Sequence, residues 1–348
     1  IAIGPQAMDA VTSGKDNIGI GHETLTRLTT GESNIAMGNN ALGQNTLTGD
    51  YNVAIGFFAL SDESSGNNNV AIGYTAGRDQ IGVSGSVYIG ENAGHSVSTG
   101  QENIAIGKDT MNGAAITGKQ NIGIGSEAVL DALTSGVLNI AIGAKAGSAI
   151  NTGGYNTTVG FQAGLSLTTS SGSIAIGTSA MAIATTGNNN IAIGNAAANG
   201  GNTTGDNNIS IGTTAGDALT SGNSNIFIGK QAGVDVNSGH SNVLIGLQAG
   251  HDLTTGFHNV AIGSFALDEV TDVDYAVCIG FGAGSSINSS DSDSTVAIGN
   301  EALLNMTNGQ YNTAVGYAAL KSNVDGDRNT AVGYEALKTF EPSVSGFG

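Results

Sequence analysis

"GNNNVAIGYTAG", residues 66–77, contains the phrase that decides the fold: an Asn, three small or aliphatic residues, and a Gly. Closely similar phrases occur as "KDNIGIG" at 15–21, "QENIAIG" at 101–107 and "FHNVAIG" at 257–263. Because the phrase returns along the whole chain, it indicates a repeated structural unit and not a single binding loop.

The Gly that closes each phrase, here called the marking Gly, recurs at a nearly constant interval. There are 20 marking Gly residues from Gly4 to Gly333, and their 19 intervals comprise fourteen of 17 residues, four of 18 and one of 19. Short constant repeats are typical of solenoids, in which each repeat forms one coil. Val, Ile and Thr alternate with Ala in the phrase, which favours β-strands. We therefore predict an all-β solenoid of about 20 coils, each with two strands of about five residues.

The repeat pattern covers residues 1–337, which we interpret as one repeat domain. It fades over residues 338–348, where Pro342 has no backbone N–H to donate to a β-ladder. We interpret this stretch as the start of a following segment or linker. Because residue 1 already lies inside a phrase, we expect the chain to be a piece of a longer protein.

The composition excludes several classes of partner. The chain has 28 acidic and 10 basic residues, a formal net charge of −18, which would repel nucleic acids and anionic lipid surfaces. No apolar run approaches the length of a membrane span, so we expect no membrane insertion by this fragment. Cys278 is the only cysteine, and an intramolecular disulfide is therefore impossible.

In most coils a Gly stands seven residues before the marking Gly and an Asn stands four residues before it. They occur together in fifteen of the nineteen later coils and are absent together from the other four. We predict that they form one turn, in which the Gly supplies a positive φ and the Asn amide hydrogen-bonds the turn backbone. Two examples with their marking Gly are Gly66, Asn69 and Gly73, and Gly256, Asn259 and Gly263.

The middle residue of each predicted first strand, two before the marking Gly, is uncharged in every coil. We predict that its neighbours, such as Val70 and Ile72, fill the interior, and that the middle residues face outward as a seam between copies of the chain. A flat face that is merely tolerated is the alternative. If the seam is correct, Ala192→Glu should split or unfold the assembly. The seam residues are Ala54, Ala71, Ala105, Ala141, Ala192, Phe227, Leu244 and Ala261.

The position four residues after the marking Gly is occupied by one of two kinds of residue. It is Gly in eight coils and mostly Leu or Met in the others, and like tends to follow like in adjacent coils. This clustering predicts ladders of matching side chains along the solenoid axis.

These repeats, of the form "NxAIGxxA…G", resemble the head repeats of YadA-type trimeric adhesins and the repeats of bacteriophage tail fibres, over essentially all of residues 1–337. Adhesin heads typically have shorter coils, so the longer coil with "TTG" at 254–256 is more similar to phage or marine-virus fibres. The resemblance implies a left-handed parallel β-roll assembled as a parallel homotrimer.

The resemblance also implies a function. The expected one is a structural or adhesive shaft or head of a phage tail fibre, which attaches the virion to a host surface. The alternative is the head domain of a bacterial trimeric autotransporter adhesin. Either would be extracellular, on a virion or a bacterial cell surface, with a glycan or an outer-membrane component as its receptor.

Residues with catalytic or metal-binding chemistry are few and scattered. We predict no enzymatic activity and no cofactor, because nothing singles out a catalytic set. His240 and His258 lie in consecutive coils and could share a metal, and Asp274 and Asp291 occupy equivalent positions of successive coils as a calcium candidate. Solvated turn residues are the simpler interpretation of both pairs. Thr pairs such as 254–255 suggest a third function, an ice-binding solenoid.

Overall fold

The computed structural model describes residues 1–113, 115–129, 135–287 and 293–340. Over these residues the chain is a parallel β-solenoid with one coil for each repeat of about 17 residues, and it contains no helix. A membrane-spanning helix is therefore not found in the described part of the chain. The chain divides into two compact units, Ile1–Gly172 and a second unit that begins at Ser173.

The first unit contains one short strand in each coil. Within the unit each strand pairs in parallel with its neighbour in sequence, in a register that places equivalent positions side by side, such as Ala71 beside Tyr88. The strands are β1 Ala2–Ile3, β2 Ile18–Ile20, β3 Ile35–Met37, β4 Val53–Ile55, β5 Val70–Ile72, β6 Val87–Ile89, β7 Ile104–Ile106, β8 Ile122–Ile124, β9 Ile140–Ile142 and β10 Thr157–Val159.

The second unit repeats this arrangement, with Phe227 beside Leu244 as one example of the parallel register. Its strands are β11 Ile174–Ile176, β12 Ile191–Ile193, β13 Ile209–Ile211, β14 Ile226–Ile228, β15 Val243–Ile245, β16 Val260–Ile262, β17 Val277–Ile279, β18 Val296–Ile298, β19 Thr313–Val315 and β20 Thr330–Val332.

The expected second strand of five residues does not form in the described coils. The arm after the marking Gly instead places its second and fourth residues in the left-handed region, as with Phe58 at φ 54° and Leu60 at φ 50°. This backbone cannot continue a β-strand. It still bonds to both neighbouring coils, because Phe58 N–H donates to Asn39 O and Leu60 N–H donates to Ala76 O, each at 3.0 Å. Hydrogen bonds between coils therefore stabilise an arm that is not a strand.

The predicted seam is wrong, because its residues lie in the interior of the coils. Ala54, Ala71, Ala105, Ala141, Ala192, Phe227, Leu244 and Ala261 are all fully buried within the single chain. Successive side chains of a strand point to opposite faces, so Val70 and Ile72 must face outward when Ala71 faces inward. The two arms of a coil pack closely, and the interior holds a small residue opposite a Leu more readily than two large side chains. Ala192→Glu therefore tests the core and not an interface between chains.

The marking Gly is required both by its own backbone and by the next coil. Gly73 and Gly263 have φ values of 141° and 136°, which L-residues rarely adopt. A Cβ at Gly21 would lie 2.8 Å from the carbonyl oxygen of Gly38, the marking Gly of the next coil. Consecutive marking glycines therefore stack backbone on backbone, which explains why the phrase always ends in Gly.

Candidate functional surfaces

The outward strand face, defined as the first and third residues of each strand, is apolar along each unit. Val70 is half-buried and Ile72 is 38% exposed, and in the second unit Ile228 and Ile262 are exposed to a similar degree. Neither position carries a charged residue in any strand of the described residues. Soluble monomers rarely expose a contiguous apolar surface of this kind, so the outward strand face is the candidate surface for a partner.

Exposed aromatic rings follow the strands in several coils, at the position directly after the marking Gly. Phe57 and Tyr74 stack with ring centroids 5.3 Å apart and an angle of 4° between their planes. Tyr317 and Tyr334 stack in the same way at 5.2 Å. Because each ring lies two residues after the third residue of a strand, these pairs add aromatic surface beside the outward strand face.

The Asn of the turn forms a buried ladder between coils. Asn69 Nδ2 donates to Val83 O at 2.5 Å, while Asn69 Oδ1 accepts the backbone N–H of Ser86 at 3.0 Å. Asn69 is fully buried, and its own N–H donates to Asn52 Oδ1 at 3.0 Å. Asn259 bonds the coil after it in the same way. The Asn amide thus bonds turn backbone as expected, but the turn belongs to the next coil.

The Gly of the turn has a different role from the one we predicted. Neither Gly66 nor Gly256 has a positive φ; the left-handed residue is the one directly before the Asn, such as His258 at φ 58°. A Cβ at Gly256 would lie 3.1 Å from Asn259 Nδ2 and closer still to the carbonyl oxygen of Val273 in the next coil. The Gly therefore makes room for the Asn amide and its acceptor, which explains why the two residues are lost together.

Asp274, one half of the calcium candidate, has a structural role. Its Oδ1 accepts the N–H of Phe257 at 2.9 Å, and its own N–H donates to Asp293 Oδ1 at 2.9 Å. Partial burial raises the pKa of Asp274, and the neighbouring Asp293 and Asp272 raise it further, against the lowering effect of the Phe257 N–H. Asp291, the other half of the candidate, lies outside the described residues, and the calcium pair stays a prediction.

His240 and His258 belong to an aromatic cluster on a solvent-facing turn. Their ring centroids are 5.5 Å apart with perpendicular planes. His240 stacks on Phe257 at 5.0 Å, and His258 stacks on Tyr275 at 5.3 Å. These contacts account for the positions of both rings without a metal, and the shared metal site stays a prediction.

A different group has the spacing of metal ligands, and our sequence reasoning missed it. Asp235, His251 and Asp252 each offer one ligand atom, and within the described residues these three atoms lie within 4.8 Å of one another. The signal was present in the repeat positions, since both Asp residues stand six after a marking Gly and His251 stands five after one. Two further carboxyls near this corner, Asp217 and Asp268, have raised pKa values, chiefly because of partial burial.

The Thr pair at 254–255 is hydrogen-bonded to the next coil. Thr254 Oγ1 donates to the carbonyl oxygen of Thr271 at 2.7 Å, and Thr255 Oγ1 lies 3.1 Å from Asp272 Oδ1. Thr220 Oγ1 likewise donates to Asn237 O at 2.9 Å. These hydroxyls hold adjacent coils together, and the ice-binding solenoid stays a prediction.

Cys278 is a core residue of β17. Its side chain is fully buried, and burial raises the pKa of the thiol to about 12. Because the thiolate is the reactive form, this cysteine is a poor nucleophile near neutral pH.

Comparisons with known proteins add no family to this description. A scan against protein-family models finds no match to the chain, and a search of curated proteins finds no significant relative.

Proposed function

We propose that this chain is a structural and adhesive fibre module, the shaft or head of a phage tail fibre that attaches a virion to a host surface. The observation that carries the proposal is the outward strand face, an uncharged and mostly β-branched surface that runs along each solenoid unit. The proposal takes the left-handed coil and the parallel homotrimer from the resemblance to trimeric adhesin heads and tail fibres.

The outward strand face supports self-association because every coil contributes to it equally. In the proposed parallel assembly, equivalent coils of different copies lie at the same level, so each apolar position meets another. Burying the exposed third of an Ile side chain contributes roughly 0.5–1 kcal/mol. Summed over the coils of a unit, this gain is large enough to oppose the entropic cost of association.

The acidic surface has a complementary effect. The chain has a net charge of −18, and the strands in the part of the chain that the structure describes contain no charged residue. A strongly charged exterior keeps finished assemblies from bundling with one another, while an uncharged face permits association of the chains within one assembly. This division of charge suits a fibre that must be soluble and long.

The oligomeric state tests the proposal directly. We expect wild-type protein to sediment with the mass of three chains at micromolar concentration. Ile228→Glu places a charge on the outward strand face and should yield folded monomers, while Ser238→Glu adds the same charge at an exposed loop position and should leave the trimer intact. Far-UV circular dichroism checks that each variant is folded. A monomeric wild type, or an Ile228→Glu variant that assembles normally, would refute the proposed interface.

Host attachment requires its own test, with the assembled protein as the probe. We propose a surface glycan or an outer-membrane component as the receptor, and expect labelled trimer to bind host cells and to lose binding when the surface glycans are removed. The alternative, a bacterial trimeric adhesin head, uses the same module with a different anchor. A β-barrel anchor encoded in the same reading frame would select the adhesin, and a virion-attachment domain would select the tail fibre.

A further inference from the structure

The corner that follows each marking Gly brings side chains of consecutive coils together. His251 and Asp252 stand five and six residues after Gly246, and Asp235 stands six after the preceding marking Gly. His251 Nδ1 lies 2.5 Å from Asp252 Oδ1, and a carboxylate oxygen of Asp235 lies within 4.8 Å of the ligand atoms of both. Asp235 is exposed and the other two side chains are half-buried, so an ion from solvent can reach all three.

The same juxtaposition occurs once more, in the first unit. Asp79 and His95 occupy the positions of Asp235 and His251, and His95 Nδ1 lies 3.6 Å from Asp79 Oδ2. One backbone hydrogen bond aligns each pair: Asp79 N–H donates to His95 O at 3.0 Å, and Asp235 N–H donates to His251 O at 3.2 Å. The fold therefore delivers an Asp of one coil to a His of the next wherever the sequence supplies them.

The two corners differ in their third residue. The residue after His95 is Ser96, whose Oγ lies 3.3 Å from His95 Nδ1, whereas the residue after His251 is Asp252. The corner at His251 thus presents one imidazole and two carboxylates, and the corner at His95 presents one imidazole and one carboxylate. The chain thereby supplies a natural two-ligand counterpart to the three-ligand corner.

We propose that Asp235, His251 and Asp252 bind a divalent first-row transition metal ion, such as Zn²⁺, which cross-links two successive coils. An imidazole nitrogen suits zinc, nickel and copper, whereas calcium and magnesium are bound by oxygen ligands alone. Three protein ligands leave a position open for water, which the solvent-facing corner supplies. The ion holds the coil of Asp235 to the coil of His251 and Asp252, and it stabilises these coils against local opening.

Calorimetric titration of the full chain with ZnCl₂ tests the site. We expect one zinc ion per chain, and slower amide hydrogen exchange in residues 230–255 when zinc is added. His251→Gln and Asp252→Asn should each weaken binding by more than about tenfold, since each removes a direct ligand. His95→Gln, which alters the equivalent position of the first unit, should leave the affinity and the stoichiometry unchanged.

A gain of function sharpens the test. Ser96→Asp supplies the missing carboxylate beside His95, and we expect this variant to bind two zinc ions per chain. Calcium should compete poorly with zinc at both corners. The proposal is overturned if wild-type protein binds no zinc, if His251→Gln binds as tightly as wild type, or if calcium displaces zinc at equal concentration, because diffuse attraction to the acidic surface would then explain any binding.

Discussion

Removing one amide from the buried Asn ladder provides the most direct test of how the coils are held together. Asn225 Nδ2 donates to Gly239 O at 2.8 Å and to Asn208 Oδ1 at 3.1 Å. Its Oδ1 accepts hydrogen bonds from the backbone N–H and from the side-chain Nδ2 of Asn242, at 3.0 and 3.2 Å. Asn225→Ala removes all four bonds from a fully buried position.

The expected cost follows from the groups that lose their partners. In the described residues, Gly239 O and Asn242 N–H have no hydrogen bond other than the one to Asn225. Each buried group left without a partner costs about 1–3 kcal/mol, so Asn225→Ala should destabilise the local structure by about 2–6 kcal/mol. Asn225→Ser should cost about half as much or less. Ser173 shows why: at the equivalent position its Oγ accepts Asn190 N–H at 3.2 Å and donates to Gly187 O at 3.5 Å.

Local hydrogen exchange is the appropriate assay, because long repeat proteins do not always unfold in one cooperative step. In Asn225→Ala, peptides that cover residues 222–245 should exchange at least about tenfold faster, since a tenfold change corresponds to about 1.4 kcal/mol. Asn225→Ser should fall between that variant and wild type. If Ala and Ser variants exchange at the wild-type rate, the ladder does not stabilise the stack.

Three further predictions concern single positions. Asp274→Asn should raise the melting temperature near pH 7, because the raised pKa of Asp274 in the folded state means that its ionised carboxylate lowers stability there. The gain in melting temperature should shrink toward about pH 4, where the carboxyl becomes protonated, and a gain independent of pH would contradict this. Gln248→Gly should stabilise against urea by about 0.5 kcal/mol, because Gln248 has φ 54°, whereas Gln248→Ala should not. Gly284→Leu should lower the melting temperature, since a Cβ there would lie 2.6 Å from Cys278 Sγ. Adding Cys278→Ala should recover part of the loss, whereas strictly additive effects of the two substitutions would argue against a shared cavity.

The sequence predicts the parts of the fold that depend on local periodicity. The coil length, the position of the strand and the bond from the Asn amide to turn backbone all follow from the spacing of a short phrase. The sidedness of the strand, that is, which of its two faces is buried, does not follow from this spacing, because hydrophobicity favours Val70 and Ile72 over Ala71 for the core. The structure buries Ala71, since the coil interior is too thin for a large residue on both arms. The corner at His251 was missed because its ligands come from two coils.

The sidedness was nevertheless encoded in a pairing between two positions of the repeat. Every coil with a middle strand residue larger than Ala has Gly four residues after the marking Gly; the pairs are Tyr88 and Gly94, Thr158 and Gly164, Ser210 and Gly216, Phe227 and Gly233, Leu244 and Gly250, and Cys278 and Gly284. The reason is volume, because a Cβ at Gly233 would lie 2.7 Å from Phe227 Cδ1. If the middle strand residue were exposed to solvent, its volume would not depend on the residue four positions after the marking Gly.

This pairing also bears on the proposed assembly. It assigns the middle strand residues to a filled interior, where they cannot contact another chain. The strand residues on either side are free of that volume constraint, yet they remain uncharged in every coil. Solvation alone would favour polar residues at half-exposed positions of a surface strand, as on the open face of an antiparallel sheet. The persistence of Ile and Val there supports the proposed assembly, in which a parallel copy of the same chain presents matching side chains at the same spacing.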